Sequence, residues 1–394
     1  MSTGGPRGEL TRLLREGGAL AAEWVEVFEA VPRGAFLPDV IWPYDMGSGA
    51  SRVVDRRVDG DAWERAAYAD VPVTTQWDDG AHEGPGPGHV PTSSASMPSV
   101  VAGMLRDLDV RPGMRVLEVG TGTGWNAGLL AARLGGSGGV VTVEVDEAVA
   151  VRARAALVRA GLRAEVVCGD GRDGWAAGAP YDRLIATAGV RALPAAWLEQ
   201  TRPGGVVLAP WGTHYGNGDA LVRLTVRGDG TASGPFLRPV EFMKLRAQRL
   251  DWGRFRAHVG PYPGDADTSE TAVSLTELGE GRRRMGGTAF VLGLLVPDCA
   301  HVLNTAGAGA TLWFFDMRPG SRAWASAEFR PGATRALVRQ SGTRRLWDEV
   351  TRALSWWQAQ GTPPVSRFGL TADATGARQV WLDDDAHPVP APGA

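Results

Sequence analysis

Residues 9–30 (ELTRLLREGGALAAEWVEVFEA) repeat apolar side chains at helical spacing and stop before Val31-Pro32, which predicts a helix. The stretch 45–66 is polar and rich in Gly and Asp, with Trp63 near its end, and reads as a surface excursion. YADVPVTTQ (68–76) predicts a short strand. DDGAHEGPGPGHVPTSSAS (78–96) is dominated by Gly, Pro and Ser and predicts a loop.

From 98 to 230 the pattern alternates between the two periods. Helices are expected at 98–109, 125–134, 147–160 and 194–201. Strands are expected at 114–119 (MRVLEV), 139–144 (GVVTVE), 164–168 (AEVVC), 181–187 (YDRLIAT) and in GGVVLAPW. Such a βαβαβ order predicts α/β architecture, a Rossmann-like parallel sheet covered on both faces. Beyond about residue 235 the alternation ends. GTAFVLGLLV, ATLWFFDM and AWASAEFR read as antiparallel strands, and SGTRRLWDEVTRALSWWQAQG as an amphipathic helix. RFGLTADATGARQVWLDD then reads as a hairpin. The expected organisation is an N-terminal helix and site loops (1–97), a Rossmann-like domain (98–234) and a C-terminal α+β domain (235–394).

Composition narrows the class. A chain of 394 residues fits two domains, and 44% hydrophobic with 22% charged residues fits a water-soluble fold. The net charge of −3 argues against binding nucleic acid through phosphate neutralisation. Two distant cysteines, Cys168 and Cys299, define no disulfide framework, and the six histidines form no i,i+4 pair, so no metal is expected. No signal peptide or membrane-spanning run is legible, and the expected location is cytoplasmic.

The strongest chemical signal is the run from Glu118 through Gly120, Thr121, Gly122 and Gly124 to Asn126, where a strand feeds directly into a helix. Glycines let the backbone turn tightly and approach a ligand beside a helix N-terminus. The spacing E-x-G-x-G-x-G differs from the dinucleotide pattern, and its leading carboxylate suits a cationic sulfonium better than a pyrophosphate. Glu144 ends the next strand, 20 residues after Gly124, where an acid accepts hydrogen bonds from ribose hydroxyls. Asp170 and Gly171 end the third strand beside the expected adenine edge, and Thr187 ends the fourth. The expected cofactor is S-adenosyl-L-methionine.

VPRGAFLPDVIWPYD, YADVPVTT, SSASMPSVVAGML, VLEVGTGTGWNAGLLAARLG, GDGRDGWAAGAPYDRLIATAGV and LPAAWLEQTRPGGVVLAPWG together resemble the protein-L-isoaspartate O-methyltransferases over about residues 25–212. The resemblance implies a class I methyltransferase fold and methyl transfer to a peptide carboxylate. It also places the serine loop beside the cofactor, with Ser96 and Ser94 as the catalytic candidates and Ser93 and Asp70 as substrate-binding candidates; His214, just past the fifth strand, could face the substrate or lie in a surface turn. One departure stands out. Where that family has Gln-Thr-Ile-Ser-Gln-Pro, this chain has Ser93-Ser94-Ala95-Ser96-Met97-Pro98. The 45–66 excursion and the C-terminal domain also lie outside the ordinary repair enzyme, and the serine-rich loop, TGTGWNAGLL and the appended domain look more like the methyltransferases that accompany ATP-grasp peptide maturases. This branch implies, as partners, a ribosomal precursor peptide and an ATP-grasp ligase, and as product an aspartate ester that collapses to an aspartimide.

Ordinary readings stand beside these. Ser96 could cap the helix that begins near Pro98. Asp70 could brace a turn, Trp125 could be core or pocket wall, and Arg282-Arg283-Arg284 could be a solvated face. General isoaspartate repair, a small-molecule methyltransferase and a non-catalytic S-adenosylmethionine-binding partner of a maturase are the competing functions.

Overall fold

The computed structural model describes residues 5–250, 258–260, 262–280 and 287–390. The arginine run 282–284 lies outside these. The chain divides into two compact units, one of Met1–Ala188, Pro194–Leu208 and Thr225–Ala232, the other of Gly189–Leu193, Ala209–Leu224 and Ser233–Ala394. A single boundary near 235 is therefore not what the chain adopts. It passes between the units several times, and the N-terminal segment belongs with the Rossmann-like part.

The first unit opens with α1 (Pro6–Glu16) and α2 (Val25–Ala30) rather than one helix over 9–30. Gly17 ends α1, and Gly18 turns at φ +70°, a conformation that costs side-chain-bearing residues energy. Next come β1 (Val40–Asp45), β2 (Ala50–Ser51), β3 (Val54–Asp55) and α3 (Gly60–Ala67), so the 45–66 stretch is folded. Its anchor is Trp63, 3% exposed, which packs with Ile41, Ala67 and Val73 and donates its indole N–H to the Pro38 carbonyl at 3.0 Å. β4 (Val73–Trp77) pairs antiparallel with both β1 and β5 (Pro91–Ala95). The serine stretch expected as loop is thus a strand. Small polar residues carry no alternating signal, and pairing with β4 alone determines its extended form.

The Rossmann-like part then follows closely: α4 (Pro98–Leu108), β6 (Arg115–Val119), α5 (Trp125–Leu134), β7 (Gly139–Glu144), α6 (Glu147–Arg159), β8 (Glu165–Cys168), β9 (Tyr181–Ala186), α7 (Ala195–Glu199) and β10 (Thr201–Gly212). The order β8-β7-β6-β9-β10 is parallel throughout. Chain order reverses beside β6, which puts a ligand crevice at that strand's carboxyl end.

In the second unit β11 (Asp219–Val226) and β12 (Thr231–Val240) lie in the order β11-β12-β18-β19, with β18 (Phe368–Asp373) and β19 (Arg378–Leu382) forming the expected hairpin. A separate antiparallel sheet has the order β13-β17-β16-β15-β14, from β13 (Asp267–Thr271), β14 (Cys299–Ala306), β15 (Gly309–Asp316), β16 (Trp324–Phe329) and β17 (Ala336–Ser341). GTAFVLGLLV is not a strand here; it forms α8 (Gly287–Leu295), which packs with α9 (Leu346–Ala359). Phe290 to Leu295 are all buried, so no polar face remains to betray the helical period. No helix among the described residues is long and apolar enough to cross a membrane.

Candidate active site

The site is built at the carboxyl end of β6. Gly120, Gly122 and Gly124 all have positive φ, +96°, +53° and +86°, which side-chain-bearing residues rarely adopt. Each is also crowded. A Cβ on Gly120 would meet Thr187 Oγ1 at 2.8 Å, and one on Gly122 the Ser94 carbonyl oxygen at 3.3 Å. The loop is held from the side by Thr187, whose hydroxyl donates to the Gly120 carbonyl.

Glu118 departs from its expected place. It is 0% exposed, and both carboxyl oxygens are taken up by neighbouring side chains. Asn126 Nδ2 donates to one oxygen at 2.7 Å and Thr142 Oγ1 to the other at 2.5 Å. Thr142 spends its only proton on Glu118, so the 2.6 Å contact with Thr121 Oγ1 has Thr121 as donor. Burial raises the Glu118 carboxyl to about 7 against the pull of these hydrogen bonds, with Glu144 adding repulsion. Glu118 and Asn126 therefore organise the loop. Thr142, the one polar residue in VVTV, joins them; its isolation in an apolar strand was the available signal.

Glu144 is half-buried at the end of β7 and accepts backbone N–H groups of Gly122 at 2.9 Å and Asp146 at 3.1 Å. Asp170 pairs with Arg172 at 2.7 Å while accepting that residue's N–H, and Arg172 depresses its carboxyl pKa. Gly171 is buried, its carbonyl accepting the Trp197 indole N–H at 2.8 Å. Trp125 is core: 3% exposed, it donates to the Val31 carbonyl and meets Phe28 edge to face at 5.5 Å. S-adenosylmethionine fits these residues: the glycine loop leaves no room for a Cβ, and Glu144 offers a carboxylate at the next strand end.

The serine strand lies against that loop. Ser93 and Ala95 are buried, while Ser94 and, just past the end of the strand, Ser96 are half-buried. Ser93 Oγ accepts from Thr75 Oγ1 at 3.3 Å, which makes it part of the strand pair rather than a free contact. Ser96 does not cap α4. The N-cap position is Met97, and Asp70 Oδ1 instead accepts the Ser99 N–H at 2.8 Å. Asp70 is accordingly a brace, and among the described residues no partner holds the Ser96 hydroxyl. His214 belongs to the second unit, where it pairs with Asp298 at 3.3 Å. Among the described residues no group of three or more His, Cys, Asp and Glu side chains could hold a metal.

Arg33 escaped the sequence reading. It is 1% exposed and donates to five carbonyls: Ala67, Ala69, Val71, Ala95 and Ser96, at 2.9–3.1 Å. Burial lowers its guanidinium to about 9, partly offset by Asp70. It holds the end of the serine strand from behind.

The family model for protein-L-isoaspartate(D-aspartate) O-methyltransferase matches residues 48–249. A protein-L-isoaspartate O-methyltransferase of Pyrococcus horikoshii is 41% identical over 137 residues, 34% of this chain and 61% of that one. One from Methylorubrum extorquens is 38% identical over 221 residues, 56% of this chain and 79% of its own. A solved structure described as a protein-L-isoaspartate O-methyltransferase aligns over 96% of this chain and all of its own, with a TM-score of 0.55 at 21% identity. The overall fold is thus shared with a structure so described. The chain belongs to the protein-L-isoaspartate(D-aspartate) O-methyltransferase family, whose members are S-adenosylmethionine-dependent carboxyl O-methyltransferases.

Proposed function

We propose that this protein methylates the carboxylate of an isoaspartyl or aspartyl residue in a peptide. The observation that carries this reading is the serine strand, packed against Gly122 of the cofactor loop, with the half-buried Ser94 on it and the half-buried Ser96 just past its end. S-adenosylmethionine supplies an electrophilic methyl group. The chain's own work is positioning. The acceptor carboxylate, with a pKa near ~4, is ionised at neutral pH and needs no general base. Ser96, helped by Ser94, would donate to one carboxylate oxygen and leave the other free as the nucleophile. A neutral donor does this without trapping the anion in the ground state, as an arginine would. Glu144 would hold the ribose hydroxyls, and Glu118 with Asn126 and Thr142 keeps the glycine loop in shape.

Repair of damaged peptides is the reading the relatives favour. It is tested by incubating the protein with a synthetic isoaspartyl peptide and its aspartyl twin, each with labelled cofactor. A base-labile ester on the isoaspartyl peptide alone is expected, and no transfer to either would overturn it. A second reading rests on Ser93-Ser94-Ala95-Ser96, where the family carries bulkier residues. In it the acceptor is an aspartate inside an ATP-grasp-cyclised ribosomal peptide, and the ester loses methanol to give an aspartimide. That reading predicts modification of the cyclised precursor and none of linear isoaspartyl peptides.

A further inference from the structure

A side chain outside the recognised motifs ties the serine strand to the cofactor side of the first unit. Gln76, next to the end of β4, is 9% exposed. Its Nε2 donates to Asp146 Oδ2 at 3.1 Å, and its Oε1 accepts from Thr92 Oγ1 at 2.9 Å. Thr92 Oγ1 also accepts the Asp79 N–H at 3.1 Å, so one residue at the start of the serine strand gathers both sides of the β4–β5 connection. At the other end Asp146 Oδ1 caps α6 by accepting the Val149 N–H at 3.0 Å. The Asp146 N–H donates to Glu144 Oε1, and Glu144 Oε2 accepts the Gly122 N–H. Hydrogen bonds therefore run without a break from the glycine loop through Glu144, Asp146 and Gln76 to Thr92, two residues before Ser94.

Residue type matters at the middle of this chain. A carboxamide can donate to a carboxylate at one end and accept from a hydroxyl at the other; a carboxylate or an ammonium cannot. Arg33 secures the far end of the same strand through the Ala95 and Ser96 carbonyls. The serine strand is thus pinned at both ends, and the Gln76 end leads back to the acid expected to hold the cofactor.

We propose that Gln76 is a positioning residue that couples cofactor engagement at Glu144 to the placement of Ser94 and Ser96. This rests on the reading of Glu144 as the ribose-binding acid. Linkage requires the effect to run both ways: loosening the strand weakens the cofactor product, and the product orders the strand.

The test uses the full-length protein and S-adenosylhomocysteine, with calorimetry for affinity and hydrogen exchange over residues 91–97 for strand order. In the wild type, saturating S-adenosylhomocysteine slows exchange in that segment. Gln76→Ala is expected to weaken binding about fivefold, the size of one hydrogen bond of about 1 kcal/mol. It should also lose most of the ligand-induced protection even at saturation. Gln76→Glu and Asp146→Asn alone should do the same. The double variant Q76E/D146N should return to within about twofold of wild type, because donor and acceptor are exchanged while the asparagine oxygen still caps α6. Wild-type affinity and protection in Gln76→Ala would overturn the proposal. A fall in melting temperature with protection unchanged, or a double variant no better than either single, would do so too. Failure of the wild type to bind S-adenosylhomocysteine would instead overturn the reading of Glu144.

Discussion

At the residue scale, the burial of the Glu118 carboxyl and the proposed role of the Ser96 hydroxyl each have a measurable consequence. Glu118 has a folded-state pKa raised to about 7, above its ordinary 4.5, because it is buried. A raised pKa means that the folded protein holds the proton more tightly than the unfolded chain does. Its contribution to stability is complete below about 4.5 and is lost as pH rises toward about 7. Urea midpoints measured at pH 5 and pH 8 should therefore fall further in wild type than in Glu118→Gln. An equal fall in both would show that another group carries the dependence. Ser96→Ala should lower kcat about 10- to 100-fold, the range for losing a hydrogen bond to a charged group. S-adenosylhomocysteine affinity should stay within about twofold. Full kcat in this variant would remove Ser96 from the mechanism. Of these residues, Glu118 was legible as a site residue from its place before the glycines, while its burial was not. Burial depends on Thr142 and Asn126 reaching it from a neighbouring strand and helix.

At the scale of elements, the glycine loop and the serine strand form one packed pair. Gly122→Ala would force a side-chain-bearing residue into φ +53° and set its Cβ 3.3 Å from the Ser94 carbonyl oxygen. We expect S-adenosylhomocysteine to bind at least about tenfold more weakly, since the loop must shift away from either the ligand or β5. Undiminished affinity would mean that the loop adapts freely. The same pair explains which elements could be read in advance. β6, α5 and β7 have strong periodicity and their own turn residues, so local pattern suffices. β5 has neither: Pro91-Thr92-Ser93-Ser94-Ala95 becomes a strand only because β4 offers it hydrogen bonds. α8 fails for the opposite reason, since tertiary contacts bury every side and erase the amphipathic signal.

For the whole molecule, stability has an ionic anchor in the unit that lacks the cofactor loop. Asp316 is 0% exposed; burial opposes its ionisation, yet hydrogen bonds from Arg318, Ser321 and Arg344 hold it down to about 2. Its pKa is depressed, so its contribution is present above the ordinary 3.8 and lost as pH falls toward about 2. Acid titration followed by tryptophan fluorescence should show cooperative loss of structure in that window. Arg344 joins Asp316 at 2.9 Å to Glu349 at 2.7 Å. Arg344→Met should destabilise by about 1.5–3 kcal/mol in urea, because Asp316 and Glu349 each lose a charged hydrogen bond while Arg318 keeps Asp316 paired. A loss below about 1 kcal/mol would show that Arg318 alone compensates.

By itself the sequence determined the cofactor class, the parallel βαβ order and the residues of the glycine loop. Each of these depends on short-range geometry: a tight turn, a helix start, an acid at a strand end. Only the tertiary structure decided what those residues do for one another. It buried Glu118, turned Asp70 into a cap for Ser99, gave Arg33 five carbonyls to hold, and joined Gln76 to Asp146 across 70 positions of chain. Such contacts form between residues far apart in sequence, where neither periodicity nor spacing carries information about the partner.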